Sequence, residues 1–207
     1  MDPTGAIEAV IWDLGGVILR TEDRRLRAAW ESRLNLPEGE LDKLVFAGEM
    51  GRKAALGQAQ AEDVWRWVGS QLELRPEELE RLQHEFWQGD QLDGALVQFI
   101  RELRRENRTA LLSNAWPGMR QMIENEWGIA DCFDDLFISA ELGLAKPDPR
   151  IYRLALDRLD VPPERAVFVD DFSDNVRAAA ALGLRAIQFL SSQQAIQAVN
   201  LQLARTS

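Results

Sequence analysis

Five short apolar runs stand out along the chain, at 7 to 12, 109 to 113, 135 to 139, 166 to 170 and 185 to 190, each rich in Val, Ile, Leu, Phe or Ala. Nearly continuous apolar runs of this length, bounded by turn residues, predict strands buried on both faces of a parallel sheet. Between the later runs the period becomes helical. Leu92, Leu96, Phe99, Ile100 and Leu103 share one helical face, and Ile151, Leu154, Ala155 and Leu159 repeat the spacing. Strand and helix alternate, so the class is α/β with a doubly wound parallel sheet.

The stretch from about 20 to 90 departs from this alternation. It carries no convincing strand, but it has helical periodicity at Leu26, Ala29, Trp30 and Leu34 and again at Val64, Trp67 and Val68. A further helix is predicted from Pro76 through Leu79, Leu82 and Phe86, before Gly89-Asp90 breaks it. The expected organisation is a core of residues 1–19 and 91–207 interrupted by a helical insertion of residues 20–90. That insertion leaves the sheet at the carboxyl end of the first strand, directly over Asp13, which is the placement of a lid.

Composition narrows the partners. A chain of 207 residues that is 46% apolar can bury a real core. Its 24 basic and 34 acidic residues give a formal charge of -10, which argues against binding nucleic acid or an anionic membrane surface. Cys132 is the only cysteine, so no intrachain disulfide can form, and Met1-Asp2-Pro3 opens no basic and apolar leader; a cytosolic protein is expected. No apolar run approaches the roughly 20 residues needed to cross a bilayer. Nothing in the pattern speaks to oligomeric state.

Polar residues punctuate four strand ends. The first strand delivers Asp13 into Leu14-Gly15-Gly16, and the second ends in Ser113-Asn114. Lys146-Pro147-Asp148-Pro149 follows the third, and Asp170-Asp171-Phe172-Ser173-Asp174-Asn175 the fourth. In an open parallel sheet the carboxyl ends of the strands face one crevice, so groups far apart in sequence converge there. Clustered carboxylates repel unless a cation joins them, and all-oxygen ligation suits Mg²⁺ rather than zinc. With one histidine and one cysteine in the chain, zinc has few partners. Lys146 and Ser113 offer a charge and a hydroxyl to an anion, and Gly15-Gly16 allows close backbone approach. A phosphate is the natural guest.

These four punctuations, in this order and spanning essentially the whole chain, resemble the haloacid dehalogenase superfamily in its phosphatase branch, with a helical cap inserted after the first strand. The resemblance implies a Rossmann-like core and a Mg²⁺-dependent phosphatase acting on a small phosphorylated metabolite. It also implies that Asp13 is the nucleophile, forming an aspartyl-phosphate, and a metal ligand. Ser113, Asn114 and Lys146 would bind the phosphoryl group. Asp171 would be a direct metal ligand, with Asp170 and Asn175 close behind it and the carbonyl of Gly15 completing the set. Two registers exist for the last motif, Asp170 with Asp174 or Asp171 with Asn175; the strand end at Val169 favours the second.

One position departs from the family pattern. Family phosphatases carry a second aspartate two residues after the nucleophile, which protonates the leaving oxygen; here that position is Gly15. A positioned general acid is worth roughly 10² to 10⁴ in rate. Three consequences are open. Substrates with good leaving groups, such as acyl or glycosyl phosphates, would need no acid; or Glu22, Asp23 or Glu49 of the insertion would supply it; or the protein binds phosphate with weak or no turnover. A metal-free 2-haloacid dehalogenase is a rival, since that chemistry also dispenses with the second aspartate. A phosphorylation-switch receiver domain is disfavoured, because its acidic pair follows the first strand rather than the fourth.

Each motif alone has an ordinary reading. Asp170 to Asn175 could simply cap the helix through Val176 and Ala180, and Lys146 could be a solvated loop lysine. His84 is expected on a helix surface, and Cys132 as an inert buried or loop thiol. Of the seven tryptophans, Trp116, three residues after Ser113, is the one placed to line a substrate cavity. The conjunction at four strand ends carries the argument.

Overall fold

The first apolar run forms β1 (Ala9–Trp12), with all four residues buried. It occupies the centre of a five-stranded sheet in the computed structural model, which describes residues 5–204. The opening Met1-Asp2-Pro3 therefore lies outside the described residues. Two three-residue strands, β2 (Leu19–Thr21) and β3 (Asp90–Leu92), pair separately. The remaining sheet strands are β4 (Arg108–Ser113), β5 (Asp135–Ile138), β6 (Ala166–Asp170) and β7 (Arg185–Gln188). The sheet order is β5-β4-β1-β6-β7, parallel at every pairing. The doubly wound α/β expectation is met.

Alternation along β1 explains why both faces are apolar. Val10 and Trp12 enter one core cluster, with Leu96 and Ile100 of the helix Gly94–Leu103 and with Ala195 and Val199 of the helix Ser192–Ala204. Ala9 and Ile11 enter another, with Ile151 and Ala155 of the helix Pro149–Leu159 and Ala179 of the helix Ser173–Ala181. The sheet is a filling between two helical layers, and a strand in that position needs apolar residues at every step.

Between β2 and β3 the chain is helical, with Arg25–Arg33, Glu49–Ala55, Ala61–Gln71 and Pro76–Phe86 as its longer helices. These pack around a core of their own that includes Trp30, Val64, Trp65, Val68, Leu82 and Phe86. The antiparallel β2-β3 ribbon at their base corrects the expectation of a strandless stretch. Three residues are too few for a period to show, and the two strands that pair lie far apart in sequence. Leu92, expected on a helical face, is in this ribbon; the helix starts at Gly94, capped by Asp93, whose carboxylate accepts from the Leu96 N–H at 2.9 Å.

The first inserted helix also buries a face its apolar residues do not mark. Arg27, Trp30 and Glu31 are buried, while Ala29 is exposed and Leu26 only half-buried. Arg27 can go inside because its guanidinium is fully occupied: it bonds Asp42, Asp90 at 2.6 Å and the Phe86 carbonyl at 2.8 Å, and stacks on the Phe86 ring. Gly57 brings the insertion against the sheet domain, since a Cβ there would sit 2.2 Å from the carbonyl of Ala140. Among the described residues no helix is long and apolar enough to cross a membrane.

Candidate active site

Register brings the strand ends together. Trp12 is level with Leu111 on one side and Val169 on the other, and the N–H of Asp13 donates to the Val169 carbonyl at 2.9 Å, so Asp13, Ser113 and Asp170 emerge at one edge. Asp13 is only 6% exposed. Its Oδ1 accepts from the Leu14 N–H at 2.7 Å and lies 2.7 Å from the Lys146 ammonium, which is also 2.7 Å from Oδ2 of Asp170. Lys146 is thus a buried bridge between two carboxylates, and the solvated-lysine reading fails.

The loop carrying Lys146 is clamped from β4. Asn114 accepts from the Lys146 N–H through Oδ1 and donates to the Lys146 carbonyl through Nδ2, both at 2.8 Å. Its amide is engaged on both sides by that backbone, so Asn114 positions Lys146 and keeps one Nδ2 hydrogen for a further acceptor. Ser113 is buried where β4 ends. A residue the sequence reading missed, buried Ser139, ties the loop after β4 to β5: its hydroxyl accepts from the Ala115 N–H at 3.0 Å.

Asp170 and Asp171 differ sharply. Asp170 is fully buried; besides Lys146 it accepts from the Phe172 N–H at 2.8 Å and from Asn175 Nδ2 at 3.1 Å to each oxygen. The contact of Asn175 is therefore with Asp170, five residues back. Asp174 is exposed and bonded to Arg177. The helix from Ser173 is preceded by Phe172, with no side-chain cap, so helix capping does not explain this motif. Asp171 is half-buried, and its Oδ1 is one of two buried side-chain polar atoms without a hydrogen-bond partner among the described residues, the other being Trp12 Nε1. Gly16 is required beside it: its φ is +79°, and a Cβ would meet Asp171 Oδ2 at 2.2 Å.

Burial raises the Asp13 carboxyl to about 7 even though Lys146 opposes the shift, and Asp170 adds to it. Burial, then the charge of Asp170, raises Asp171 to about 6. Oxygens of Asp13, Asp170 and Asp171 lie within 4.8 Å of one another. Such a cluster, with one carboxylate oxygen left unpaired, fits a hard divalent cation. The thiol and imidazole are elsewhere: His84 is exposed on the helix Pro76–Phe86, and Cys132 is buried in the core, where burial pushes its thiol up to about 11.

Each of the acids expected to stand in for the missing one is ion-paired in the structure. Gly15 is exposed, and a Cβ built there meets nothing within 4 Å. Asp23 is bonded by Arg25, which lowers its carboxyl to about 2; Glu49 is likewise lowered by Lys53. Glu22 is exposed and paired with Arg20 at 2.9 Å. Trp116 is half-buried against two aromatic residues of the insertion that the sequence reading did not single out, Phe46 at 5.8 Å and Trp87 at 6.2 Å between ring centroids.

The profile of the family described as haloacid dehalogenase-like hydrolase matches residues 7–183. The chain is 27% identical over 193 residues to the D-ribitol-5-phosphate phosphatase of Bacteroides thetaiotaomicron, covering 88% of this chain and 91% of that one. It is 26% identical over 214 residues to the bifunctional epoxide hydrolase 2 of Sus scrofa, covering 93% of this chain but spanning only 38% of the length of that relative. A haloacid dehalogenase-family enzyme of B. thetaiotaomicron, solved with magnesium and inorganic phosphate, superposes with a TM-score of 0.68 at 18% identity, over 88% of this chain and 93% of that one.

Proposed function

The chain belongs to the haloacid dehalogenase-like hydrolases, and within that family we propose that it is a Mg²⁺-dependent phosphatase of small phosphorylated metabolites, using Asp13 as nucleophile. The observation that carries this reading is the buried bridge from Asp13 through Lys146 to Asp170, with the unpaired Asp171 oxygen beside it. The named activity of the ribitol-phosphate relative supports it. In this reading residues 20–90 are a cap over Asp13, and the single buried cysteine suits a reducing cytosol.

Each residue has a definable task. The Leu14 N–H and Lys146 both hold Oδ1 of Asp13, which leaves Oδ2 as the attacking oxygen. Oδ2 bonds to phosphorus while the ester P–O bond breaks, its electron pair departing on the leaving oxygen. Water then attacks the phosphorus, releasing inorganic phosphate and restoring the carboxylate. Ser113 and Lys146 hold the phosphoryl oxygens, and Asn114 positions Lys146. Asp13, the Gly15 carbonyl and Asp171 would hold the cation, with Asp170 and Asn175 orienting the set from behind. Mg²⁺ there would neutralise the carboxylates and polarise a phosphoryl oxygen.

Phosphate release from acetyl phosphate in Mg²⁺ tests the reading directly. Chloride release from a 2-haloacid in EDTA would establish the dehalogenase instead, and Mg²⁺ and phosphate binding without turnover would establish a binding protein, which the glycine at 15 favours as the second reading.

Mg²⁺ is expected to raise Tm, and more at pH 7.5 than at pH 5.5. Asp13 and Asp171 have folded-state values above their unfolded ones, so the metal-free fold takes up protons and loses stability as pH rises from about 4 to 7. A cation must displace those protons at low pH and binds freely above that window. Equal Mg²⁺ shifts at both pH values, read by differential scanning calorimetry, would remove these carboxylates from the metal site.

Gly15→Asp is expected to raise kcat/KM for alkyl phosphates by roughly 10². A Cβ at Gly15 would meet nothing within 4 Å, so the substitution starts without a clash. An unchanged rate would show that protonation of the leaving group does not limit turnover.

A further inference from the structure

The aromatic residues at the junction of the two regions form a continuous patch. Trp87 lies 4.8 Å from Phe86, 5.8 Å from Phe46 and 6.2 Å from Trp116, and Phe46 lies 5.8 Å from Trp116. Phe86 and Trp65 make a buried floor, whereas Phe46 is 44% and Trp87 39% exposed. Large apolar side chains left open to water as a group mark a binding surface rather than a packing necessity. Phe46 projects from a π-helical turn, Lys43–Ala47, an irregularity that recurs at functional sites. Arg27, which stacks on Phe86, is neutralised by Asp42 and Asp90.

The patch is tied to the phosphate end of the crevice. Trp116 follows Ser113 by three residues, which span at most about 11 Å. Asn114 and Ser139 clamp that short connection, which holds the backbone leading into Trp116 close to the end of β4. The other half of the argument is Gly15. An aryl leaving group departs as a phenolate, of ordinary pKa about 10, and needs far less proton assistance than an alkoxide.

We infer that the patch of Phe46, Trp87 and Trp116 is a subsite for the leaving group, and that the substrate class is an aryl phosphate monoester whose ring packs on these side chains. This rests on the phosphatase reading above. Asp13 Oδ2 forms the O–P bond, the P–O aryl bond breaks with its electron pair on the phenolate oxygen, and the phenolate takes its proton from solvent. Water then attacks phosphorus, giving its proton to solvent and releasing phosphate from the aspartate, so the departure of the aryl group needs no acid at position 15. Trp116 and Phe46 act as specificity-determining residues.

The test is steady-state kinetics of the full chain in Mg²⁺ with acetyl phosphate, 2-naphthyl phosphate and a hexose 6-phosphate. The expected result is a kcat/KM for 2-naphthyl phosphate at least about 10-fold above that for the hexose phosphate, with Trp116→Ala and Phe46→Ala each lowering the ratio of naphthyl to acetyl kcat/KM by about 10-fold. Should Trp116→Ala fail to fold by circular dichroism, the more exposed Phe46→Ala decides alone. A ratio unmoved in folded variants, or hexose phosphate preferred while acetyl phosphate turns over, overturns the aryl inference and leaves the phosphatase reading standing. No phosphate from any of the three overturns both.

Discussion

Asp13→Asn is expected to abolish phosphate release, by at least about 10⁴-fold, while leaving the fold intact. An amide cannot attack phosphorus, so the loss falls on the chemical step and not on the architecture. Asn keeps the shape of Asp and an oxygen that can accept the Leu14 N–H, and Lys146 retains its partner Asp170 at 2.7 Å. Burial already disfavours the Asp13 anion, whose carboxyl is raised to about 7, so removing that charge should keep or raise Tm of the metal-free protein at pH 8. Phosphate release with acetyl phosphate, together with a calorimetric Tm, checks both halves. Activity within ten-fold of wild type would dismiss Asp13 as the nucleophile.

Lys146→Met should produce the largest loss of stability. Methionine replaces the aliphatic stem, which packs among residues that leave the lysine side chain 1% exposed, so the packing is largely retained. What disappears is the one cation between Asp13 and Asp170, leaving two buried carboxylates facing each other. Removing one partner of a buried ionic set costs about 3 to 5 kcal/mol, which for a domain of this size lowers Tm by roughly 6 to 20 °C. The loss should be greatest at pH 8 and shrink toward pH 5, because protonation relieves the repulsion that the lysine had neutralised. A deficit that is small, or that does not change with pH, would mean that the bridge is not what holds these strand ends together.

Some of this was legible in the chain because it is written locally. A strand covered on both faces is apolar at nearly every step, so β1, β4, β5 and β6 show as runs, while the edge strand β7 shows only through Ala186 and Ile187. The helices Pro76–Phe86 and Pro149–Leu159 announce themselves by a first-turn proline and an apolar face. The β2-β3 ribbon was not legible, since its pairing joins Leu19 to Leu92 across the whole insertion. Nor was the buried Arg27, whose acceptability depends on Asp42, Asp90 and the Phe86 carbonyl arriving from three other places.

The division at the site follows the same line. Which chemical groups stand at the strand ends, that Gly15 carries no acid, and that a parallel sheet turns those ends toward one crevice can all be read from the chain. Those are consequences of residue identity and of short-range periodicity. How those groups pair with one another emerges from the folded arrangement. Asn175 is paired with Asp170, the amide of Asn114 is occupied by the Lys146 backbone, one Asp171 oxygen is left without a partner, and Phe46, Trp87 and Trp116 meet as one surface. A hydrogen bond or a ring contact is satisfied by position to within a fraction of an ångström, and position is set by long-range packing that no local pattern encodes.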